Sequence, residues 1–489
     1  MKIVVLVPSA EYKNYAGARI RYGRIAPVLA EQGAELVLRD IADFAPAGTS
    51  ADVLIVSKCH DSRSLVAAAV MAERGCRVGV DLFDDYFSQM GDSRLVRYRN
   101  WLRQILEYCQ FGLCSTRAMA DVLATYRSGL PVHVMNDPAS DLHLQTLPQI
   151  LQAKSRQARA SRQLVVAWFG VGDNPNFPVG IHDLASFASR LRPLARTGMD
   201  VRLKVLTNAR ALTARGLAQL RDLPLRASVD EWSEGRERQL LDESFAVFLP
   251  VNGQPFSTAK SLNRAVTALT SGCQVLSAGH PLYPQLDSLI YRDAGQMISD
   301  LDRDSLRLSP SRLDAYRDVM ASFATASTEA EGLLNFLGNI ERPAAQEGPL
   351  VVIHGHSTNG VAHKMAQAIG GLSVASPYCT TPLAFDVVFQ GQAKGLGMLV
   401  SEKAMKRLRP DMGARVGSSS VHAGKKYVEI LDLSSAPASA MDWSESALPF
   451  QLATYRDCMK EISRRVAAVF GASRLIVSES SPLPFQPVA

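Results

Sequence analysis

The chain has 489 residues, of which 47% are hydrophobic and 20% charged, and its formal net charge is +6. This length predicts several domains, and this composition excludes collagen-like and low-complexity classes. Seven cysteines without a CxxC pair favour a reducing compartment over a disulfide framework or a zinc site. We find neither a signal peptide nor an apolar run of membrane-spanning length, so we expect a cytoplasmic protein.

Residues 1–150 alternate strand-like and helix-like segments, beginning with KIVVLV (2–7) and AGARIRYGRIAPVLAEQG (16–33). Continuous apolar strands separated by helices predict a parallel, doubly wound sheet. Polar residues follow the predicted strand ends, which is the edge where such sheets bind ligands. These residues are Ser9, Lys58, Asp81, Asp84, Asp85, Ser115, Thr116 and Asn136.

The same pattern begins again after a basic segment (152–163) that is interpreted as a linker. LVVAWFGVGDN (164–174), FAVFLPV (245–251) and CQVLSAG (273–279) are strand-like, so a second Rossmann-like domain is predicted over 164–340. A second linker (341–349) precedes a smaller α/β domain over 346–489, whose role the sequence does not assign.

The segment STAKSLNRAVTALTSG (257–272) is predicted to be one helix. Ser257 or Thr258 would cap its N-terminus, and Gly272 would end it. Its polar stripe carries Lys260 and Arg264, although cations oppose the helix dipole at this end. Free N–H groups, hydroxyls and cations together favour a bound anion, most simply a phosphate. A solvated surface face is the alternative.

Three other motifs are weaker evidence for a binding or catalytic site. DLFDDYF (81–87) places carboxylates after a strand, where Asp84 and Asp85 would bind a metal, act as a general base or cap the next helix. GVGDN (170–174) lacks the third glycine of a dinucleotide fingerprint. HGHSTNGVAH (354–363) offers His354, His356 and His363 without a carboxylate or cysteine, which favours a polar turn over a metal site.

The segment 92–110 reads as a basic amphipathic helix. Arg94, Arg97, Arg99 and Arg103 surround an apolar face, and Trp101 is a residue typical of membrane interfaces. This pattern suits an anionic membrane surface, which would make the protein peripheral on the inner face of a membrane. It suits a helix packed on its own domain equally well. No nucleic-acid-binding module is found, so no nucleic-acid partner is expected.

The two predicted Rossmann-like domains, together with the predicted anion-binding helix (257–272), resemble the GT-B glycosyltransferases. The resemblance is carried by VVAWFG (165–170), FAVFLPV (245–251) and STAKSLNRAVTALTSGCQVLSAGHPLY (257–283), and it covers residues 1–340. It implies an α/β fold of two doubly wound domains that bind a nucleotide-sugar in the cleft between them. The expected reaction is transfer of the sugar to a glycan, lipid-linked or protein acceptor, without a metal or other cofactor.

The resemblance also implies individual roles. Lys260 and Arg264 would face the diphosphate, and Gly170 and Gly172 would let the donor approach the backbone. The remaining donor-side residues are Thr207, Asn208, Trp232, Ser257, Thr258, Ser261 and Asn263. Many retaining members carry two glutamates where this chain has Ala259 and Thr267, which leaves the stereochemistry open. A nucleotide-sugar epimerase, which would need His60 and the acids at 81–85, and a non-catalytic binding protein remain alternatives.

Overall fold

The computed structural model describes residues 1–44, 49–60 and 62–344, and beyond them only strands between 350 and 478. Two six-stranded sheets contain the first twelve strands. The strands of the first sheet are β1 (Lys2–Val7), β2 (Glu35–Asp40), β3 (Val53–Ser57), β4 (Arg77–Leu82), β5 (Phe111–Cys114) and β6 (Val132–Val134). Those of the second are β7 (Gln163–Gly170), β8 (Asp200–Thr207), β9 (Arg226–Glu231), β10 (Ala246–Val251), β11 (Gln274–Gly279) and β12 (Ile290–Tyr291).

The first sheet is parallel and has the order β2-β1-β3-β4-β5-β6. All five residues of β3 are buried, as expected for a strand covered by helices on both faces. The order reverses direction between β1 and β3, so the strand ends at Val7 and Ser57 flank a crevice. Ligands of open α/β sheets bind at such a reversal.

The second sheet is also parallel and has the order β12-β11-β10-β7-β8-β9. Renumbered from its own first strand, this is the 3-2-1-4-5-6 order of the dinucleotide-binding Rossmann fold. Its reversal lies between β7 and β10, which end at Gly170 and Val251. Both doubly wound sheets were predicted, and the structure confirms them.

Fifteen α-helices are present in the described part of the chain. They are α1 (Ala16–Ala18), α2 (Ala26–Glu31), α3 (Ser62–Glu73), α4 (Val96–Ile105), α5 (Arg117–Tyr126), α6 (Leu147–Ser161), α7 (Ile181–Ser186), α8 (Arg192–Ala195), α9 (Ala214–Gln219), α10 (Glu234–Glu243), α11 (Pro255–Thr258), α12 (Asn263–Thr270), α13 (Ala294–Asp302), α14 (Leu313–Ala321) and α15 (Ala326–Gly338). A π-helical turn, Arg19–Gly23, joins α1 to α2 where one continuous helix was predicted.

Both domain boundaries in the structure differ from those predicted from the sequence. The basic segment 152–163 is not a linker, because α6 buries Leu147 and Leu151 in the core of the second sheet. The Lys154 ammonium donates to the carbonyls of Leu241 (2.6 Å) and Ser271 (2.9 Å), which fixes α6 to that domain. At the other end, α15 returns to the first sheet and packs Leu333 with the β1 residues of its core. The first domain therefore includes α15, and the second begins at α6.

Beyond residue 344 the described strands form two small sheets, ordered β14-β15-β13-β19 and β16-β18-β17. These strands are β13 (Leu350–Gly355), β14 (Leu372–Val374), β15 (Phe385–Phe389), β16 (Gly395–Leu399), β17 (Ser418–His422), β18 (Lys425–Ile430) and β19 (Arg474–Ser478). The backbone of His354 lies in β13, whereas His356 and His363, and with them the histidine motif as a site, lie outside the described residues.

Candidate functional site

The strand reversal of the second domain is lined by a glycine and an arginine. Gly170 ends β7 with φ +147°, and a Cβ built on it would lie 3.2 Å from an Arg264 guanidinium nitrogen. The backbone conformation favours glycine here, and any side chain at position 170 would press on the Arg264 guanidinium. Among the residues that the structure describes, Arg264 has no carboxylate within salt-bridge distance. Arg264 thus presents a cation at the point where this sheet type binds phosphates.

Other predicted donor residues build the loop after β7 rather than line an open surface. The Thr207 hydroxyl is buried and donates to the Gly170 carbonyl at 3.0 Å. Gly172 donates its N–H to the Asn208 side-chain oxygen at 2.8 Å, and a Cβ there would lie 2.3 Å from the Thr207 hydroxyl. Thr207 therefore fills the space that a side chain at position 172 would take, and the approach of a donor to the backbone of Gly172 stays a prediction.

The predicted helix 257–272 is broken in two, and the break is caused by contacts with the first domain. Neither Ser257 nor Thr258 caps a helix N-terminus, because both lie within α11 and α12 begins later, at Asn263. Between the two helices, Ala259 inserts into the core cluster of the first domain and is 2% exposed. Its carbonyl accepts a hydrogen bond from the Thr116 hydroxyl at 3.1 Å. Tertiary contacts here override the local helical pattern.

The turn between α11 and α12 places its polar side chains on carboxylates of the first domain. The Lys260 ammonium contacts Asp84, and the Ser261 hydroxyl donates to Asp137 at 2.6 Å. Asn263 adds a longer contact of 3.3 Å to the same Asp137 oxygen. The three predicted donor residues are thus together in the cleft, and each faces an anionic group.

Asp84 lies between two lysines, one from each domain. One carboxylate oxygen contacts Lys58 and the other contacts Lys260. Burial and the nearby Arg264 lower the pKa of Lys260 to about 7, whereas its ion pair with Asp84 favours the charged form. Burial and the charge of Lys260 likewise lower the pKa of Lys58 well below its usual range. The described residues contain no cluster of three or more His, Cys, Asp or Glu arranged to hold a metal.

Asp85 has the geometry of a cap, not of an open base. It is 1% exposed, and one oxygen accepts the N–H groups of Phe87 (3.0 Å) and Ser88 (2.9 Å). The other oxygen accepts the Ser88 hydroxyl. With both oxygens occupied, Asp85 stabilises the turn after β4, and only Asp84 of the predicted pair faces the cleft.

Behind the cleft, a buried ion pair holds the first domain's strand ends. Arg21 donates from two nitrogens to Asp81, each at 2.7 Å, and the side chains are 1% and 0% exposed. Burial opposes the charged form of Arg21, but the Asp81 carboxylate outweighs it and raises the pKa. Arg21 also lies 3.4 Å from Asp137, so this pair supports the carboxylate that accepts Ser261.

Trp232, predicted to contact the base or ribose, lies where the domains meet. Its indole N–H donates to Glu237, and Arg19 of the first domain lies 5.8 Å from its ring centre. Arg19 also forms an ion pair with Glu234 at 2.8 Å. Trp232 is therefore half-buried at the edge of the cleft and contacts residues of both domains.

Aromatic side chains close one end of the cleft. Phe177 stacks on Phe256 with ring centres 4.2 Å apart, and Tyr86 of the first domain lies 5.5 Å from Phe256. Beside them, His60 lies against Trp101 at 4.7 Å, and burial lowers the pKa of His60 to about 3. His60 is therefore neutral at physiological pH and packed among aromatic rings, which disfavours its use as an acid.

The segment 92–110 is helical over Val96–Ile105 but does not carry the surface that its sequence suggested. Trp101 is 3% exposed and donates its indole N–H to the Ser64 hydroxyl at 2.9 Å. Arg99 is also buried and donates to the backbone carbonyls of Gln89 and Asp92. The helix therefore packs on its own domain, with Arg97 and Arg103 exposed. None of the described helices is both long and apolar enough to cross a membrane.

Four site residues received no role from the sequence: Arg19, Arg21, Lys58 and Asp137. Lys58 was noticed only as one of several polar residues at strand ends. Arg21 gave no signal, because an arginine within an apolar helical pattern normally predicts a solvated position. Asp137 follows a short strand, and its importance depends on a contact with Ser261, which is 124 positions away.

No family model and no curated protein matches the chain. Among solved structures, HepE of Anabaena in complex with UDP and glucose is 14% identical, with a TM-score of 0.49 over 69% of this chain and 99% of that chain. An E. coli trehalose-6-phosphate structure bound with UDP-2-fluoro glucose is 9% identical, with a TM-score of 0.48 over 70% of this chain and 100% of its own. A UDP-forming trehalose-phosphate synthase of Burkholderia xenovorans is 12% identical, with a TM-score of 0.43 over 68% of this chain and 86% of its own. The chain has two doubly wound, Rossmann-like sheets, and contacts between the two domains bring their strand ends together.

Proposed function

We propose that the protein is a glycosyltransferase that moves a sugar from a nucleoside diphosphate donor to an acceptor. The observation that carries this proposal is Arg264 beside Gly170, at the strand reversal of a Rossmann sheet, with no carboxylate within salt-bridge distance among the described residues. Lys260 and the Ser261 hydroxyl come from the same segment and add a second cation and a donor. A leaving diphosphate requires such groups, because its negative charge grows as the bond to the sugar breaks.

The donor diphosphate binds Lys260 and Arg264 in this proposal, and the nucleoside extends towards the loop after β7 and Trp232. The neighbours solved with UDP or UDP-glucose suggest the first donors to test. The two cations neutralise the leaving group, so a metal is not part of the proposed mechanism. Asp84 is the carboxylate of the first domain that faces the cleft, and it would assist an acceptor hydroxyl once it has left Lys58 and Lys260. The acceptor is a glycan, a lipid-linked sugar or a protein.

The test uses the full chain with UDP-, GDP- and ADP-sugars, each with and without EDTA. Release of nucleoside diphosphate that depends on one donor, and that EDTA leaves unchanged, is the expected result. Lys260→Ala and Arg264→Ala should each weaken binding of that diphosphate by about 1.5–3 kcal/mol, the range for a hydrogen bond to a charged group. Unchanged affinity in both variants would remove the assignment of the donor site.

Two other functions give different results in the same assay. A non-catalytic binding protein would be stabilised by a nucleotide-sugar in thermal unfolding but would release no diphosphate. An epimerase would convert the donor sugar, which product chromatography detects. The neutral, aromatic-packed His60 and the capped Asp85 disfavour an epimerase, since it needs acids and bases free in the cleft.

A further inference from the structure

Two amines from different domains share one carboxylate at the centre of the cleft. Lys58 contacts one oxygen of Asp84, and Lys260 contacts the other. The two ammonium groups therefore share a single anion, each on its own oxygen. The diphosphate of a nucleotide-sugar has more oxygens than a carboxylate to offer both amines, and its two phosphates together carry more charge than one carboxylate.

The backbone of Lys58 adopts a conformation that costs free energy locally, so contacts with its surroundings must stabilise it. Its φ is +60°, in the left-handed region that residues with a Cβ rarely adopt. It directly follows β3, at the strand reversal of the first sheet. Non-glycine residues in this conformation concentrate at functional sites, where the surrounding structure holds them.

The surroundings of Lys58 orient its amine into the cleft. The ammonium lies 4.4 Å from the ring centre of Phe83 and 5.5 Å from that of Tyr86. Aromatic faces attract a cation but do not neutralise it. About a fifth of the Lys58 side chain is exposed (19%).

Two amines share one carboxylate at Asp84. Lys58 and Lys260 are both in ion-pair contact with it, and Arg264 lies close enough to Lys260 to lower the pKa of its amine. The carboxylates farther from these amines have other partners: Asp137 contacts Arg21 and Ser261, Asp81 pairs with Arg21, and Asp183 accepts from Asn252. A diphosphate, with two charged groups, would complement Lys58, Lys260 and Arg264 together better than Asp84 alone does.

We propose that Lys58 and Lys260 form a phosphate site shared between the domains, which Asp84 occupies in the free protein and a phosphate of the donor occupies in the complex. This inference rests on the proposed function, because it identifies where one donor phosphate lies. Lys58 becomes a direct ligand of the donor, supplied by the acceptor-side domain. Asp84 becomes an internal competitor, and donor binding displaces it from both amines.

The test measures affinities of UDP, GDP and ADP, and of the corresponding nucleosides, by calorimetry on the full chain. Lys58→Met should weaken binding of the preferred diphosphate about tenfold or more, the effect of losing one charged hydrogen bond. Asp84→Asn should tighten it, by about threefold to tenfold, because an amide competes less well for two amines. Neither variant should change the affinity for the nucleoside.

Matched controls remove the same charges elsewhere. Lys204→Met and Asp200→Asn change exposed residues on the second sheet and should leave diphosphate affinity unchanged. Lys58→Arg should retain most of the affinity that Lys58→Met loses, which separates lost charge from altered backbone. Thermal unfolding identifies a variant that has lost its fold, and Asp84→Ala then replaces Asp84→Asn.

The outcomes separate this inference from the proposed function. If the native protein binds none of the diphosphates, both fail together. If Lys260→Ala and Arg264→Ala weaken binding while Lys58→Met does not, the donor site stands and the shared phosphate site is wrong. Weaker diphosphate binding by Asp84→Asn and Asp84→Ala, each folded, would also overturn it, since a competitor cannot be required for binding.

Discussion

The two domains share a doubly wound architecture but present different groups to the cleft. The first domain offers the carboxylates Asp84 and Asp137 beside Lys58, whereas the second offers Lys260, Ser261 and Arg264. Lys260 and Ser261 pair with the carboxylates across the interface, and Arg264 has no carboxylate within salt-bridge distance among the described residues. The difference implies that the proposed anionic substrate would compete with the protein's own carboxylates, so the contacts between the domains would also set its affinity.

The Asp137 carboxylate in the cleft is supported by the buried ion pair of Arg21 and Asp81. Breaking that pair should give the largest change in stability among the variants proposed here. Arg21→Met leaves the Asp81 carboxylate buried without its bidentate partner. Removing one partner of a buried pair costs about 3–5 kcal/mol, so the free energy of unfolding should fall by that amount. Urea unfolding followed by circular dichroism measures it.

The control for this variant is an exposed pair of the same type. Arg202 donates to Asp200 at 2.6 Å on the surface of the second domain, and Arg202→Met should leave stability unchanged within error. If the free energy of unfolding of Arg21→Met falls by less than 1 kcal/mol, Asp81 is neutral or solvated, and the position of Asp137 does not depend on this pair.

The charge of Lys260 in the second domain is tested by the pH dependence of diphosphate affinity. Burial lowers the pKa of Lys260 to about 7, so its amine loses its proton as pH rises through that region. Affinity for the preferred nucleoside diphosphate should therefore fall between pH 6 and 9, by roughly tenfold to a hundredfold if the charged contact is lost. The phosphate itself gains charge over the lower part of this range, which would act in the opposite direction.

Lys260→Arg supplies the control, because a guanidinium stays charged throughout this range. Its affinity should vary little with pH. Asp84→Asn should move the fall to lower pH, since the ion pair with Asp84 favours the charged amine. A native affinity that is constant from pH 6 to 9 would mean that Lys260 keeps its proton or does not contact the phosphates.

How far sequence predicts this molecule depends on the range of the contacts. The strands and their helices follow from local apolar patterns, and both parallel sheets were predicted correctly. The periodicity of α12 also placed Ala265, Val266 and Leu269 on its buried face. These features depend on residues that are near each other in the chain.

Contacts between the domains were not predictable in this way. The break at Ala259 arises because the first domain binds the turn, although the local sequence favours one helix. The role of Lys58 depends on Asp84, which follows it by 26 positions, and on Lys260, which lies 176 positions beyond Asp84. A single sequence carries no signal for such pairs, so the site was predicted as residue types and not as a geometry.

The acidic turn after β4 gives a smaller test, because its two aspartates differ in role. Asp85→Asn weakens a cap that accepts two N–H groups, so the free energy of unfolding should fall by about 0.5–2 kcal/mol. Turnover per folded molecule should remain near normal. Asp84→Asn should instead slow turnover by about 10²–10⁴ if Asp84 assists the acceptor hydroxyl. Comparable turnover in the two variants would remove the distinction between cap and base.

The smallest effect is expected at the helix α4, where an anionic membrane partner was predicted. With Trp101 and Arg99 buried, only Arg97 and Arg103, and Arg94 just before the helix, remain exposed. Arg94 is already paired with Asp92 at 2.7 Å, which reduces its contribution. A basic side chain near an anionic surface contributes about 1 kcal/mol, so binding should be weak and lost at high salt.

Liposome sedimentation at low salt decides whether this surface holds the protein near a lipid-linked acceptor. We expect partial sedimentation with anionic vesicles and none with neutral ones, abolished by the double variant Arg97→Glu/Arg103→Glu. Lys2→Glu and Lys13→Glu together make the matched control, since they reverse the same charge elsewhere on the first domain. Sedimentation that the control removes equally would reflect net charge alone. No sedimentation of the native protein would exclude α4 as a membrane surface and favour a soluble glycan or protein acceptor, since Trp101 and Arg99 then serve only the packing of the first domain.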